Sequence, residues 1–310
     1  MGARSAYSKP CAILTGDPCG PSAARHRKRR TGGLAGVPET LTVRRAIVQA
    51  GLAPIDAQVL LAFVLGRDRA WLAAHATDAL PPADAEAFAQ LARRRRGGEP
   101  VAYLTGRREF WGLSLAVDPA VLIPRPETET LVECALSKLP DTCDTRVLDL
   151  GTGSGAIALA LAHERRRARV VAIDTSEAAL AVARANAQRL AINVVEFIRG
   201  SWFDALRTGE QYDMIASNPP YVAAADAHLV EGDIRFEPVE ALVSGTDGLD
   251  ALRLIVGSAG SYLAHGGWLV VEHGYDQAQA VRRLFEEAGF EALESHRDLS
   301  GIPRVAAGRR

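Results

Sequence analysis

Val147-Leu148-Asp149-Leu150-Gly151-Thr152-Gly153-Ser154-Gly155-Ala156 passes from a short apolar run into a glycine-rich turn and on into Ile157-Ala158-Leu159-Ala160-Leu161. Run length, the three glycines and the helix formers after them give the order strand, turn, helix. Glycine in such a turn lets the backbone bend sharply and approach a ligand held over the helix N-terminus. Gly151, Gly153 and Ala156 also satisfy the dinucleotide pattern G-x-G-x-x-A, so the stretch announces a nucleotide-type cofactor in an α/β fold without saying which.

Downstream, short apolar strands alternate with longer amphipathic helices. Candidate strands are 147–150, 170–173, 194–198, 212–216 and 268–271, with two short pieces near Leu293 and Val305. Helices in the gaps make this the βαβ pattern of an open parallel sheet of seven strands. Upstream, from Thr40 to about Arg96, apolar residues recur every three or four positions and four short helices fit. The first runs from about Thr42 to Ala50; Asp56 caps the second, through Leu65; Asp68 caps the third, around Trp71 and Leu72. Pro81 and Pro82 open the fourth, which ends in Arg93-Arg94-Arg95-Arg96 before Gly97-Gly98, a charge run that complements the helix dipole. Between the two regions, Val101-Ala102-Tyr103-Leu104 and Phe110-Trp111-Gly112-Leu113-Ser114-Leu115 alternate around Thr105-Gly106-Arg107-Arg108, predicting a β-hairpin linker over 98–123.

The 310 residues are 48% hydrophobic, 24% charged and 6% aromatic with a net charge of −1, which excludes a disordered, collagen-like or disulfide-scaffold chain. No apolar run reaches the roughly 18 residues of a membrane span. The neutrality is a sum of unlike parts. Residues 1–36 hold seven basic residues against Asp17 alone, residues 37–110 carry +2, and residues 111–310 carry −9. The first segment has no hydrophobic periodicity and is rich in Gly, Pro, Ser and Ala. Residues 1–39 are therefore expected to be a disordered basic extension: a solvated tail, a transit peptide or a nucleic-acid-binding arm. Cys11, Cys19, Cys134 and Cys143 form no C-x-x-C, and the seven histidines form neither H-x-H nor H-x-x-x-H, so no metal is expected. Reduced thiols, a cytoplasmic location and a monomer are the corresponding expectations.

The neighbours of the glycine turn discriminate among cofactors. Asp149 beside the turn would face the two negative charges of a pyrophosphate, whereas S-adenosylmethionine has no phosphate and presents two cationic groups that an acid favours. The next strand ends at Asp174, 23 positions after Gly151, where a carboxylate can accept both ribose hydroxyls. After the third strand, Trp202 offers an aromatic face to adenine, with plain core packing as the equal alternative.

The fourth strand ends in Ser217-Asn218-Pro219-Pro220-Tyr221. Two prolines after a strand stop the sheet and fix the backbone, while Asn218 places an amide at the crevice. This suits a planar NH₂ group as methyl acceptor. Its nitrogen lone pair is delocalised, so two acceptors are needed to hold both N–H bonds and leave the lone pair facing the methyl. The Asn218 side-chain oxygen and the Pro219 carbonyl supply them, Tyr221 packs on the flat substrate, and alignment carries most of the rate.

These residues together resemble the N5-glutamine methyltransferases that modify peptide-chain release factors. The resemblance spans roughly 41–307. It rests on the glycine turn, on Asn218-Pro219-Pro220-Tyr221, and on Leu122-Ile123-Pro124-Arg125-Pro126-Glu127-Thr128-Glu129, the most specific of the three. Gly98-Glu99-Pro100-Val101-Ala102-Tyr103-Leu104-Thr105-Gly106, Phe236-Glu237-Pro238, Asp247-Gly248-Leu249 and Glu272-His273-Gly274-Tyr275 extend it. It implies a Rossmann-like methyltransferase domain over 124–310 and a small helical domain over 40–97 that helps bind the release factor. It also implies S-adenosyl-L-methionine as methyl donor and the glutamine of a Gly-Gly-Gln motif as acceptor. Cofactor contacts transfer to Gly151, Thr152, Gly153, Ser154, Gly155, Asp174, Trp202 and Asn218, and substrate contacts to Asn218, Pro219, Pro220 and Tyr221. A sister group acting on a ribosomal protein shares N-P-P-Y but lacks the continuation through Glu127 and Thr128.

Two other readings compete. An adenine-N6 methyltransferase would share N-P-P-Y, but the −9 over residues 111–310 lacks the basic footprint that phosphates demand. A non-enzymatic RNA-binding protein using the tail and the Arg93 to Arg96 run would leave the crevice unexplained.

Overall fold

The computed structural model describes residues 40–141 and 144–310; the expected extension, with Cys11 and Cys19, and also Cys143, lie outside the described residues. Four helices come first: α1 Val43–Gln49, α2 Pro54–Leu65, α3 Arg69–Ala74 and α4 Pro82–Arg96. Asp68 caps α3 as expected, its Oδ1 accepting the Trp71 N–H at 2.7 Å. Asp56 does not cap α2, which opens on Pro54 with Asp56 in its first turn. Proline at the first helical position outranks a later acid, because it brings its own helical φ and has no N–H to satisfy. Leu60, Leu61, Leu72 and Phe88 bury the apolar stripes of these helices in one cluster.

The linker departs from expectation in its first half. Val101–Thr105 is helix α5, not a strand; it starts after Pro100 and closes on Gly106 in the left-handed conformation. The hairpin is shorter, β1 Arg107–Phe110 paired with β2 Leu113–Ala116. Its tip, Trp111-Gly112, has φ of 51° and 68°, the double positive φ of a two-residue hairpin turn. Trp111 is held there by Glu129, which accepts its backbone N–H at 2.8 Å, and by Glu164, which accepts its indole N–H at 2.9 Å.

A 3₁₀ turn, Pro126–Thr128, leads into α6 Glu129–Lys138. Then follow β3 Arg146–Leu150, α7 Ala156–Glu164, β4 Arg169–Asp174, α8 Glu177–Arg189, β5 Val195–Arg199, β6 Tyr212–Ser217, α9 Asp250–Ala259, β7 Leu263–Glu272, α10 Ala278–Glu287, β8 Glu291–Arg297 and β9 Pro303–Arg309. The seven strands from β3 onward form one sheet in the order β5-β4-β3-β6-β7-β9-β8. Strands β3 to β7 are parallel, and β9 runs antiparallel between β7 and β8. The last two are full strands of seven residues each rather than short pieces. The architecture is Rossmann-like, as expected.

Alternation along the central strands serves two cores. Val147, Met214 and Ala216 pack under α6 and α7 with Leu131 and Leu159, while Leu148, Leu150 and Ile215 face α9 and α10 through Leu252, Ile255 and Phe285. Strands buried on both faces explain the continuous apolar runs. Chain order reverses between β3 and β6, and the crevice beyond their C-terminal ends is where such a sheet binds ligands.

The four arginines ending α4 are engaged within the chain. Arg93 pairs with Glu86 at 3.8 Å, Arg94 with Glu99 at 2.5 Å, and Arg96 donates to the Ala50 carbonyl at 2.5 Å. Arg95 bridges Asp56 of α2 at 2.7 Å and Asp233, in the segment between β6 and α9, at 2.6 Å. Residues Leu41–Arg310 form one unit. No helix among the described residues is long and apolar enough to cross a membrane.

Candidate active site

Register brings the two motifs together. Leu150 of β3 pairs with Ser217 of β6, so Gly151 and Asn218, the next residue on each strand, leave the sheet side by side. The Ser217 hydroxyl donates to the Leu150 carbonyl at 2.7 Å, pinning that edge. A cavity of about 310 Å³ opens above it. Its wall includes all of 151–154, Asp174, Trp202, Asn218 and Pro220, and it is closed on the far side by Val121, Leu122, Pro124 and Thr128.

Gly151, Gly153 and Gly155 have φ of 73°, 55° and 83°. A side chain is strained at each of these angles, and a Cβ on Gly155 would also sit 3.1 Å from Leu159 and 3.2 Å from Ala183. Gly155 is itself not part of the cavity wall; it lets α7 pack close. Four of the turn's N–H groups are already taken within the protein. Those of Gly151 and Thr152 donate to the Ile173 carbonyl at 2.9 and 3.0 Å, that of Gly155 to Thr152 at 2.8 Å, and that of Gly153 to the Asp174 carboxylate at 2.8 Å. A pyrophosphate needs these donors free and finds a carboxylate on one of them.

Asp149 is not in the cavity wall, contrary to its expected place facing the ligand. Alternation turns it onto the α7 face beneath the turn, fully buried. There Oδ2 accepts the Thr152 hydroxyl at 2.6 Å and the Ala158 N–H at 3.2 Å, while Oδ1 has no partner. Burial pushes its carboxyl up to about 7, against the downward pull of those two donors. Asp174 does line the cavity. Each of its oxygens takes one backbone N–H, from Gly153 at 2.8 Å and Ser176 at 2.9 Å, and keeps a lone pair for a further donor. Trp202 lines the cavity beside Gly151 and also packs on the lower core, at φ 49°.

In the second motif, Asn218 Nδ2 donates to Thr128 Oγ1 at 3.0 Å. Pro220 lines the cavity and the Pro219 ring is buried behind it. The side chain of Tyr221 turns away from the cavity wall. Its hydroxyl donates to Glu272 Oε1 at 3.0 Å, and burial beside that acid pushes the phenol well above its ordinary range. Glu272, at the end of β7, is 1% exposed; burial pushes it up to about 7, against the hydroxyls of Thr128 and Tyr221 and the charge of Arg304.

Several positioning residues escaped the sequence reading. Asn186, fully buried on α8, bonds the Ala116 N–H at 2.6 Å and the Ala116 and Ser154 carbonyls at 3.0 and 2.9 Å, tying hairpin to glycine turn. A lone asparagine on the buried stripe Ala179, Leu180, Ala183, Ala187 was the available signal. Glu237 takes the Ile123 N–H at 3.1 Å and Arg125 at 2.5 Å, fixing the cavity's far wall. Gln277 donates to the Tyr221 carbonyl at 3.0 Å.

One cluster among the described residues has metal-ligand character: Cys134, Glu294 and His296, within 4.8 Å of one another. Both Glu294 oxygens are already on Lys138 Nζ, at 2.5 and 2.6 Å, so the cluster carries its own cation.

Residues 43–106 match the family model described as PrmC N-terminal domain, and residues 128–245 the one described as Methyltransferase small domain. The release factor glutamine methyltransferase of Bordetella pertussis is 52% identical over 258 residues, covering 83% of this chain and 95% of its own length. That of Escherichia coli is 46% identical over 254 residues, covering 82% and 91%. Among solved structures, the T. thermophilus 16S rRNA N2 G1207 methyltransferase, in complex with AdoMet and guanosine, has a TM-score of 0.50 at 21% identity over 66% of this chain and 49% of that one, a likeness of fold alone.

Proposed function

The chain belongs to the release factor glutamine methyltransferase family, and from that premise we propose that Asn218 and the Pro219 carbonyl hold the acceptor amide of a release-factor glutamine, within a Gly-Gly-Gln motif, against a cofactor seated on 151–155. The observation that carries this reading is the β3–β6 register, which sets Gly151 and Asn218 next to each other on one cavity. The family is of the S-adenosylmethionine-dependent class, and that cofactor, when bound, supplies an electrophilic methyl group on a sulfonium. The residues present fit it. Asp174 keeps acceptor capacity for two hydroxyls, Trp202 gives a flat apolar wall, and four of the turn's N–H groups are already committed where a pyrophosphate would need them.

Toward the acceptor, the chain supplies alignment. Asn218 commits its nitrogen to Thr128, so its oxygen is the end left to accept an N–H. No described residue hydrogen-bonds the Pro219 carbonyl, which is the second acceptor. Two acceptors on one NH₂ group orient the nitrogen lone pair, and burial of the reacting atoms excludes water. Tyr221 is placed to brace the turn through Glu272. We infer further that the enzyme acts as a cytoplasmic monomer and that its acidic sheet domain takes a protein rather than a nucleic acid.

Methyl-labelled S-adenosylmethionine incubated with the purified protein and a release factor carrying either Gln or Ala in the Gly-Gly-Gln motif tests the reading. Label on the Gln form alone is expected. Label on both forms, or only on added DNA, overturns it.

A further inference from the structure

An asparagine side chain is nearly symmetric in shape, and only one of its two orientations accepts a hydrogen bond from substrate. Rotated by half a turn, Asn218 would point a donor at the substrate's own N–H bonds. Something must therefore hold the amide oxygen toward the cavity.

Thr128 is in the right place. It ends the 3₁₀ turn Pro126–Thr128, is 4% exposed, and accepts the Asn218 Nδ2–H at 3.0 Å. Its turn is anchored by its own N–H on the Arg125 carbonyl at 3.1 Å and by the Arg125–Glu237 pair at 2.5 Å. A hydroxyl that accepts from an amide still has one hydrogen to give, and the Thr128 hydroxyl is near enough to Glu272 to pull its carboxyl downward. Glu272 Oε1 is occupied by the Tyr221 hydroxyl at 3.0 Å, while Oε2 is buried with no hydrogen-bond partner, an acceptor left open to the Thr128 hydrogen. An ionised carboxylate only accepts. With the Asn218 N–H given to the Thr128 oxygen and the Tyr221 hydroxyl to Glu272 Oε1, the open Oε2 is the acceptor that would take the Thr128 hydrogen and give the chain of groups one direction.

We propose that Thr128 and Glu272 are positioning residues that lock the Asn218 amide with its oxygen toward the acceptor nitrogen. This rests on Asn218 being the substrate's acceptor group. Thr128 would then do more than distinguish one branch of the family from its sister: it sets the polarity of the reacting side chain. The groups that act on Glu272 are Thr128 and Glu127 from the 3₁₀ turn, Tyr221 from the turn after β6 and Arg304 from β9. Burial raises Glu272 to about 7, so the lock weakens as the carboxyl takes a proton and can itself donate to Thr128.

The test measures kcat on a release factor and the dissociation constant for S-adenosylmethionine in Thr128→Val, Thr128→Ser, Glu272→Gln and Asn218→Ala. Groups that orient a reacting partner at one remove are worth about 10- to 100-fold. Thr128→Val is expected to lower kcat by that factor with the cofactor constant within about 3-fold of wild type, a ratio smaller than one hydrogen bond is worth, and Thr128→Ser to restore it. The ratio of wild-type to Glu272→Gln kcat is expected to rise with pH through about 7. Taking this ratio cancels every titration the two proteins share. Wild-type kcat in Thr128→Val, failure of Thr128→Ser to restore it, or a flat ratio overturns the lock. Full activity in Asn218→Ala instead overturns the underlying reading of Asn218, so the two failures are told apart.

Discussion

Replacing Asp149 with Asn should change how stability depends on pH, in a direction the site dictates. Unfolded, this carboxyl ionises at its ordinary 3.8; folded, burial holds it near 7. Between these values the folded state keeps a proton that the unfolded state has released, so stability falls as pH rises, by about 1.4 kcal/mol per unit, and the fall ends above about 7. From pH 5 to pH 8 the loss is about 3 kcal/mol, an appreciable part of the 5–15 kcal/mol that typically separates folded from unfolded. Asparagine keeps an oxygen for the Thr152 hydroxyl and the Ala158 N–H but does not ionise. Urea unfolding of both ligand-free proteins at pH 5, 6, 7 and 8 reads the difference directly. Glu272 has the same sign, but it lies two strands away and is present in both proteins, so it cancels. The variant should gain about 3 kcal/mol on the wild type across the range. Curves that stay parallel from pH 5 to pH 8 would refute the buried, proton-holding role of Asp149.

Asp174→Ala should weaken S-adenosylmethionine binding by about 10- to 100-fold, the worth of one or two charged hydrogen bonds, while slowing a saturated turnover less; calorimetric titration against single-turnover rates separates the two. Arg95→Met removes both ion pairs to Asp56 and Asp233 but keeps the packing stem. A loss of about 2 kcal/mol is expected, discounted for the partly exposed Asp233, and appears as a lower melting temperature at low salt and a smaller difference at high salt.

The central motif was legible because each of its signals is local. Glycines at 151, 153 and 155 demand positive φ, Pro219 and Pro220 end a strand, and the apolar runs between them have strand length. Val101-Ala102-Tyr103-Leu104 misled because four residues contain too few turns to tell a period of two from one of 3.6. Pro100 before it and Gly106 after it were the better guides, since they mark a helix start and a left-handed stop. What could not be read were polar contacts made far across the chain. Asp149 lies next to a glycine turn in sequence, yet strand alternation alone turns it under α7. Tyr221 looks like a ring for the substrate until Glu272, 51 positions on, takes its hydroxyl. Asn186 and Glu237 act at separations of 70 and 114 residues, where no local pattern points to a partner.

Arg95 also bears on modularity. Two family models cover 43–106 and 128–245 as separate pieces. One guanidinium nonetheless joins α2, α4 and the segment carrying Asp233, and that segment runs on through Pro238 and Glu240 into the cavity wall. The two pieces therefore share one cation, which Asp56 holds inside the first and on which Asp233 of the second depends. Grafting a foreign helical region onto this sheet would leave Asp233 unpaired and loosen a border of the cofactor cavity, so exchange between relatives succeeds only where cation and acid travel together.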